Sequence, residues 1–281
     1  VLADLAGLPS PPPCHLLLRD ILDTPEATSA VWEANRYHEA IERHYESVLV
    51  VGDPRVFDMA DAYDFPRMTR AKLEYCGYID RSSPAVPANS GSGRKRVLIH
   101  AGGGEDGGAI VSAAIDALAL AGADRDFDCR IVGGPELGEA ERIALSRKAR
   151  ALSRVEWLDF TDAMGAEIAQ ADLVVSMGGY NSVCEILSSR KRAIVIPRSV
   201  PVREQRMRAE AMDRLGLLRM LPLERLNPER LLRMIRTELD FANVVSSRAA
   251  AISFDGLDRI ADRLLGTNRV KAGNRKVMQW Q

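Results

Sequence analysis

The stretch VVSMGGYNSVCEILSSRKRAIVIP, residues 174–197, decides how the chain is organised. An apolar run meets two glycines, a helix-forming run follows, and a second apolar run closes the unit. Strand, turn, helix and strand at these lengths make one βαβ unit, which requires a parallel sheet. A single acid, Glu185, stands one turn beyond the glycines. The start of such a helix presents unpaired N–H groups and the positive end of the helix dipole, so it can receive an anion.

The same alternation extends on both sides. Strands are predicted at RVLIHA, CRIVGG, VEWLDF, DLVVSM and AIVIP, with helices at GGAIVSAAIDALALAG, ELGEAERIALSRKARAL, AMGAEIAQA, NSVCEILSSR and VREQRMRAEAMDRLG. The fold class is therefore α/β with a doubly wound parallel sheet. Nearer the start, CHLLLRD and SVLVVGDP read as strands around one long helix, EATSAVWEANRYHEAIERHY, which is again an α/β rhythm. Between the two regions lies DRSSPAVPANSGSGRKR, which lacks apolar periodicity and has a linker's composition. These breaks divide the chain into 1–80, a linker at 81–95, a second domain at 96–253, and a C-terminal helix with a basic tail at 254–281. The tail carries Arg269, Lys271, Arg275 and Lys276 and reads as a solvated end.

Composition narrows the partners. The 281 residues are 46% hydrophobic and 27% charged with a formal net charge of −1, so the bulk electrostatics recruit neither nucleic acid nor a membrane. Cys14, Cys76, Cys129 and Cys184 are widely spaced with no CxxC pair, which argues against a zinc site or a disulfide framework and fits a reducing, cytoplasmic compartment. Cys184 reads as a small buried hydrophobe rather than a nucleophile. No apolar run approaches the length of a membrane span. The first residue is Val1 rather than Met, so the chain is expected to begin within a longer protein.

Two Gly-rich turns follow predicted strands: HAGGGEDGGAIV, with Gly102, Gly103 and Gly104, and MGGYNSVCEI, with Gly178, Gly179, Asn181 and Ser182. Neither is a Walker A motif, because no GK[ST] follows, and neither has clean GxGxxG spacing. Each alone could be only a tight turn. Together, at the carboxyl ends of strands in one sheet, they make a cradle whose amides could hold a diphosphate. Glu185 could then accept bonds from the two vicinal hydroxyls of a ribose, although an isolated helical acid is more commonly just solvated. His100, at a strand end, and Asp20, after LLLR, are weak candidates for a catalytic base.

The run FTDAMGAEIAQADLVVSMGGYNSVCEILSSRKRAIVIP, followed by REQRMRAEAM, resembles the C-terminal domain of glycosyltransferase family 28, the MurG-like enzymes of the GT-B fold. VLVVGDPRVFDMADAY with LEYCGYI is similar, more narrowly, to a bacterial group of glycosyltransferases without an assigned substrate. The resemblance implies two Rossmann-like domains, the first incomplete here, and hexosyl transfer from a UDP-sugar. It implies that Glu185 binds the ribose, that residues 178–182 receive the α-phosphate, and that Phe160 and Thr161 frame the uracil with Met164 nearby. Gln205 and Glu204 would face the donor sugar, and Gly102, Gly103 and Gly104 would admit the diphosphate. Transfer is expected to invert the anomeric centre with no metal or other cofactor, the UDP-sugar serving as co-substrate and Arg198 and Arg203 as candidate cations. The general base is expected upstream of Val1. The acceptor is expected to be lipid-linked or a small molecule, and the enzyme cytoplasmic or peripheral at the inner face of the membrane. Two departures from the family pattern stand out: Glu105 and Asp106 in the first loop, and Glu204 where a second Gln is usual. A UDP-sugar epimerase or hydrolase of the same fold, or a nucleotide-sugar-binding subunit that needs a partner, are the alternatives.

Overall fold

The computed structural model describes residues 2–83, 93–103, 107–198, 200–240 and 252–266. Two parallel sheets organise them. The first has the order β1-β2-β3, from β1 (His15–Arg19), β2 (Ser47–Val51) and β3 (Leu73–Tyr75). α1 (Leu2–Ala6), α2 (Pro25–Ala34), α3 (Tyr37–His44), α4 (Met59–Ala62) and α5 (Arg67–Ala71) accompany it. β2, SVLVV, is buried along its whole length, because helices cover both faces of the sheet and leave no side for polar residues.

The long helix expected over residues 26–45 is two. Asn35 ends α2, its side-chain amide donating to the Val31 carbonyl at 2.8 Å, and Arg36 turns left-handed at φ 54° before α3 begins. The break lets Trp32 stack on Phe65 at 4.9 Å while Ile41 enters the same cluster. An uninterrupted helix could not aim both residues at that core.

The second sheet runs β6-β5-β4-β7-β8-β9 with every pairing parallel. Its elements in chain order are β4 (Lys95–His100), α6 (Gly108–Ala121), β5 (Phe127–Val132), α7 (Glu139–Arg150), β6 (Val155–Leu158) and α8 (Met164–Gln170). β7 (Leu173–Ser176), α9 (Tyr180–Ser188), β8 (Arg192–Val195), α10 (Glu204–Arg214), β9 (Arg219–Met220) and α11 (Pro228–Asp240) complete it. One face packs on α6, α7 and α11, the other on α8, α9 and α10. The expected doubly wound sheet is thus present, and its order reverses between β4 and β7. That reversal places the loops after these two strands side by side.

α12 (Gly256–Leu265) returns to the first sheet, where Ile260 packs with Leu49, Val51 and Cys76 and Arg263 pairs with Glu46 and Glu74 at 3.0 Å. The returning segment lies antiparallel to the outgoing one: Tyr78 N donates to Ser253 O at 2.9 Å and Gly256 N to Tyr78 O at 2.9 Å. A Cβ on Gly256 would stand 2.7 Å from the Gly77 and Tyr78 carbonyl oxygens, so only glycine permits this crossing. The Ser- and Pro-rich part of the expected linker and the basic tail lie mostly outside the described residues.

Candidate functional site

A crevice of about 320 Å³ opens where the strand order reverses, lined from the second sheet by Ala101, Gly102, Gly103, Glu136, Met177, Gly179, Tyr180, Asn181, Ser182, Arg198 and Gln205. Arg19 reaches it from the end of β1 in the first sheet. Open parallel sheets bind ligands at such a reversal because neighbouring loops diverge there and leave helix N-termini facing outward.

The second glycine pair builds the floor. Gly178 has φ +75°, and a Cβ there would overlap Val195 Cγ1 on the adjacent strand, so the turn requires glycine. Gly179 differs: among the described residues nothing lies within 4 Å of where its Cβ would be, and it caps α9 without a side-chain hydrogen bond. The first turn of α9 therefore presents its amides toward open space. Val183, Cys184, Ile186 and Leu187 anchor the opposite side of the helix in the core, each large aliphatic side chain contributing about 1.5–3 kcal/mol. Burial pushes the Cys184 thiol up to about 12, which keeps it protonated and inert.

Beside this floor, Gln205 is 8% exposed and its Oε1 has no hydrogen-bond partner among the described residues. A buried amide oxygen without a donor carries a desolvation cost of about 1–3 kcal/mol, which a ligand hydroxyl would relieve.

The first glycine loop is less hospitable to an anion. A Cβ on Gly103 would lie 2.6 Å from the Glu136 carboxylate, and one on Gly108, at the start of α6, would collide with the Glu141 carboxylate. One acid, Glu136, thus stands beside the first glycine loop and another, Glu141, over the positive end of α6, and the sequence marks neither. Gly104, Glu105 and Asp106 lie outside the described residues.

Neither candidate base lines the crevice. His100 is buried, its Nδ1 accepts from Gly102 N at 3.3 Å, its Nε2 has no partner among the described residues, and desolvation lowers its pKa to about 4. It is a neutral imidazole within the second sheet's packing. Asp20 is 1% exposed and already saturated: Arg208 Nε and Nη2 donate to it at 2.9 and 3.0 Å, Tyr78 OH at 2.9 Å, and Ile21 N at 2.8 Å. Burial alone would lower the Arg208 pKa, but the Asp20 carboxylate overrides it and raises it. The pair fastens the first sheet to α10 across the interface.

Glu204 also turns to this pair, meeting Arg208 Nη1 at 2.5 Å, whereas Gln205 faces the crevice. Tyr180 adds a second tie, its OH donating to Val51 O at 3.0 Å while Arg208 lies 5.4 Å from its ring centroid. Nothing local marks the Asp20–Arg208 pair, because 188 positions separate its members.

Five of the expected donor residues, Glu185, Phe160, Thr161, Met164 and Arg203, do not line the crevice. Glu185 is partly buried and faces the start of the linker, where Arg81 Nε approaches it at 3.4 Å and Arg81 N donates to Ser188 Oγ at 3.3 Å. Phe160 is 59% exposed beyond β6, Thr161 Oγ1 accepts from Ala163 N at 3.1 Å, and Met164 packs on the second sheet's core. Arg203 sits at the cap of α10, its amide donating to Asp23 Oδ1 at 3.1 Å, so Arg198 is the expected cation that lines the crevice.

Comparison with known proteins accords with this geometry. The model for the glycosyltransferase family 28 C-terminal domain matches residues 98–264. The UDP-N-acetylglucosamine–N-acetylmuramyl-(pentapeptide) pyrophosphoryl-undecaprenol N-acetylglucosamine transferase of Alkaliphilus metalliredigens is 26% identical over 200 residues, 71% of this chain and 48% of that protein. An uncharacterized glycosyltransferase of Methanopyrus kandleri is 24% identical over 250 residues, 86% of this chain and 65% of its own length. The chain thus spans from about half to just under two thirds of these relatives. Among solved structures, the calicheamicin glycosyltransferase CalG4 superposes with a TM-score of 0.61 at 14% identity, covering 92% of this chain and 69% of that one. Acinetobacter baumannii MurG gives 0.58 at 15% identity, covering 82% and 64%. Glycosyltransferase VinC in complex with dTDP gives 0.55 at 16% identity, covering 78% and 51%. These likenesses establish the GT-B fold, and with the family match over 98–264 the chain belongs to glycosyltransferase family 28.

Proposed function

We propose that the chain carries the donor site of a glycosyltransferase that moves a hexosyl-type sugar from a UDP-sugar to a hydroxyl or phosphate oxygen of an acceptor. The observation that carries this reading is the uncapped start of α9 facing the same crevice as the orphaned Gln205 amide oxygen. The first suits a diphosphate, and the second suits a sugar hydroxyl.

As the glycosidic bond breaks, negative charge grows on the leaving diphosphate. The α9 dipole and Arg198 supply positive charge there, which supports transfer without an obligatory metal. Direct displacement at the anomeric carbon by the acceptor would invert it. Phe160, Thr161, Met164 and Glu185 are assigned to the nucleoside; Glu185 would do so by exchanging Arg81 for the ribose. UDP is favoured over other nucleotides by the donor named for the Alkaliphilus relative, and the same name suggests a lipid-linked acceptor. Among the described residues no helix is long and apolar enough to cross a membrane. From the lipid-linked acceptor suggested by the Alkaliphilus relative's name, we assign a cytoplasmic enzyme that meets its acceptor at the inner face of the membrane.

Incubation of the full-length protein with UDP-N-acetylglucosamine and an undecaprenyl-pyrophosphate acceptor tests this reading. UDP release that depends on acceptor and survives chelator, with an inverted product, is the expected result. UDP release without acceptor, a retained anomer, or loss of activity with chelator would each overturn the corresponding part.

A further inference from the structure

We infer that the diphosphate is clamped from both domains, with Arg19 as the cation that the first domain contributes. The inference rests on the nucleotide reading above and adds to it a residue from outside the matched family domain.

Arg19 ends β1 and is exposed, yet it lines the crevice otherwise built by the second sheet's loops. Its guanidinium stands 5.8 Å from the centroid of the Tyr180 ring, and Tyr180 is the first residue of α9. It therefore lies beside the helix end whose amides face open space. Among the described residues Arg19 has no ion-pair partner, whereas Arg208, over the same ring, is neutralised by Asp20 and Glu204. An exposed arginine held over an aromatic face is oriented by it while its charge stays available.

The backbone fixes that position. Asp20, the next residue, is held bidentately by buried Arg208 and also by Tyr78. The bonds of Asp20 to Arg208 on α10 thus hold the adjoining Arg19 beside the crevice.

Charge places the ligand on the same side. Glu136 overhangs the first glycine loop and Glu141 the start of α6, which repels a diphosphate from that wall. The α9 end, Arg198 and Arg19 form the positive wall. Guanidinium groups match phosphate oxygens two at a time, so Arg19 would lock the diphosphate and Lys would serve less well.

The test is calorimetric titration of the intact protein with UDP, dTDP and uridine, for the wild type, Arg19→Ala and Arg19→Lys. The expected result is tenfold or greater weakening of nucleotide diphosphate binding in Arg19→Ala, partial recovery in Arg19→Lys, and unchanged uridine binding and melting temperature. Diphosphate binding within twofold of wild type in Arg19→Ala would overturn the role of Arg19 while leaving the crevice a nucleotide site. Equal losses for uridine and UDP would overturn it as well, because they would mark a structural role. A wild-type protein that binds neither UDP nor dTDP would overturn both this inference and the nucleotide reading.

Discussion

Replacing Asp20 by Ala would leave Arg208 in a site where it is 1% exposed with Glu204 as its remaining carboxylate. Breaking a buried ion pair at one partner costs about 3–5 kcal/mol, because the other charge stays buried. Glu204 keeps the guanidinium partly neutralised, which sets this part at the lower end, about 3 kcal/mol. Tyr78 OH, also buried, loses its acceptor, which adds about 1 kcal/mol. The expected total is about 4 kcal/mol, a loss on the order of 10 °C in melting temperature for a chain of this size. Arg208→Met should cost a similar amount, since it strands Asp20 with Tyr78 and the Ile21 amide. The double variant should cost less than the sum by about 2 kcal/mol or more, the signature of a direct pair. Urea denaturation followed by circular dichroism measures all three. Single losses under about 1 kcal/mol that simply add would refute the assignment of Asp20 and Arg208 as the tie between the domains.

His100, with its pKa depressed to about 4 by burial, binds its proton more readily unfolded than folded, so stability should rise from pH 4 to pH 6.5 by about 3 kcal/mol from this group. Urea midpoints in that window should lose the corresponding slope in His100→Asn. Gly178→Ala should destabilise by about 2–4 kcal/mol, from its left-handed φ and the overlap with Val195, whereas Gly179→Ala, in open space, should leave the melting temperature within about 2 °C. In steady-state assays Gln205→Leu should lower kcat/KM for sugar transfer by about 10- to 100-fold, while UDP binding by calorimetry stays within twofold.

How much of this was legible in the sequence depended on whether the deciding contact was local. The unit from β7 to β8 could be read directly, because two buried strands must be continuous apolar runs and the turn between β7 and α9 must carry glycine at Gly178. The break between α2 and α3 was missed because a left-handed Arg36 leaves no compositional mark. α11 was missed although Leu231, Leu232, Ile235 and Leu239 repeat at helical spacing, a signal that was available. Glu204 and Arg208 stand four apart on one helix, so their pairing could have been anticipated. Asp20 with Arg208 and Arg81 with Glu185 join residues 188 and 104 positions apart, and only the folded chain brings them together. The same holds for Arg19, whose strand, HLLLR, reads as ordinary until the other domain is beside it.

The most direct test of the account is a crystal structure of the protein grown with UDP. The account predicts the diphosphate within hydrogen-bond reach of the amides of Tyr180, Asn181 and Ser182, with Arg19 and Arg198 closing on it and Gln205 Oε1 facing the position of the departing sugar. UDP bound elsewhere, or density over the first glycine loop beside Glu136 with the start of α9 still empty, would contradict it.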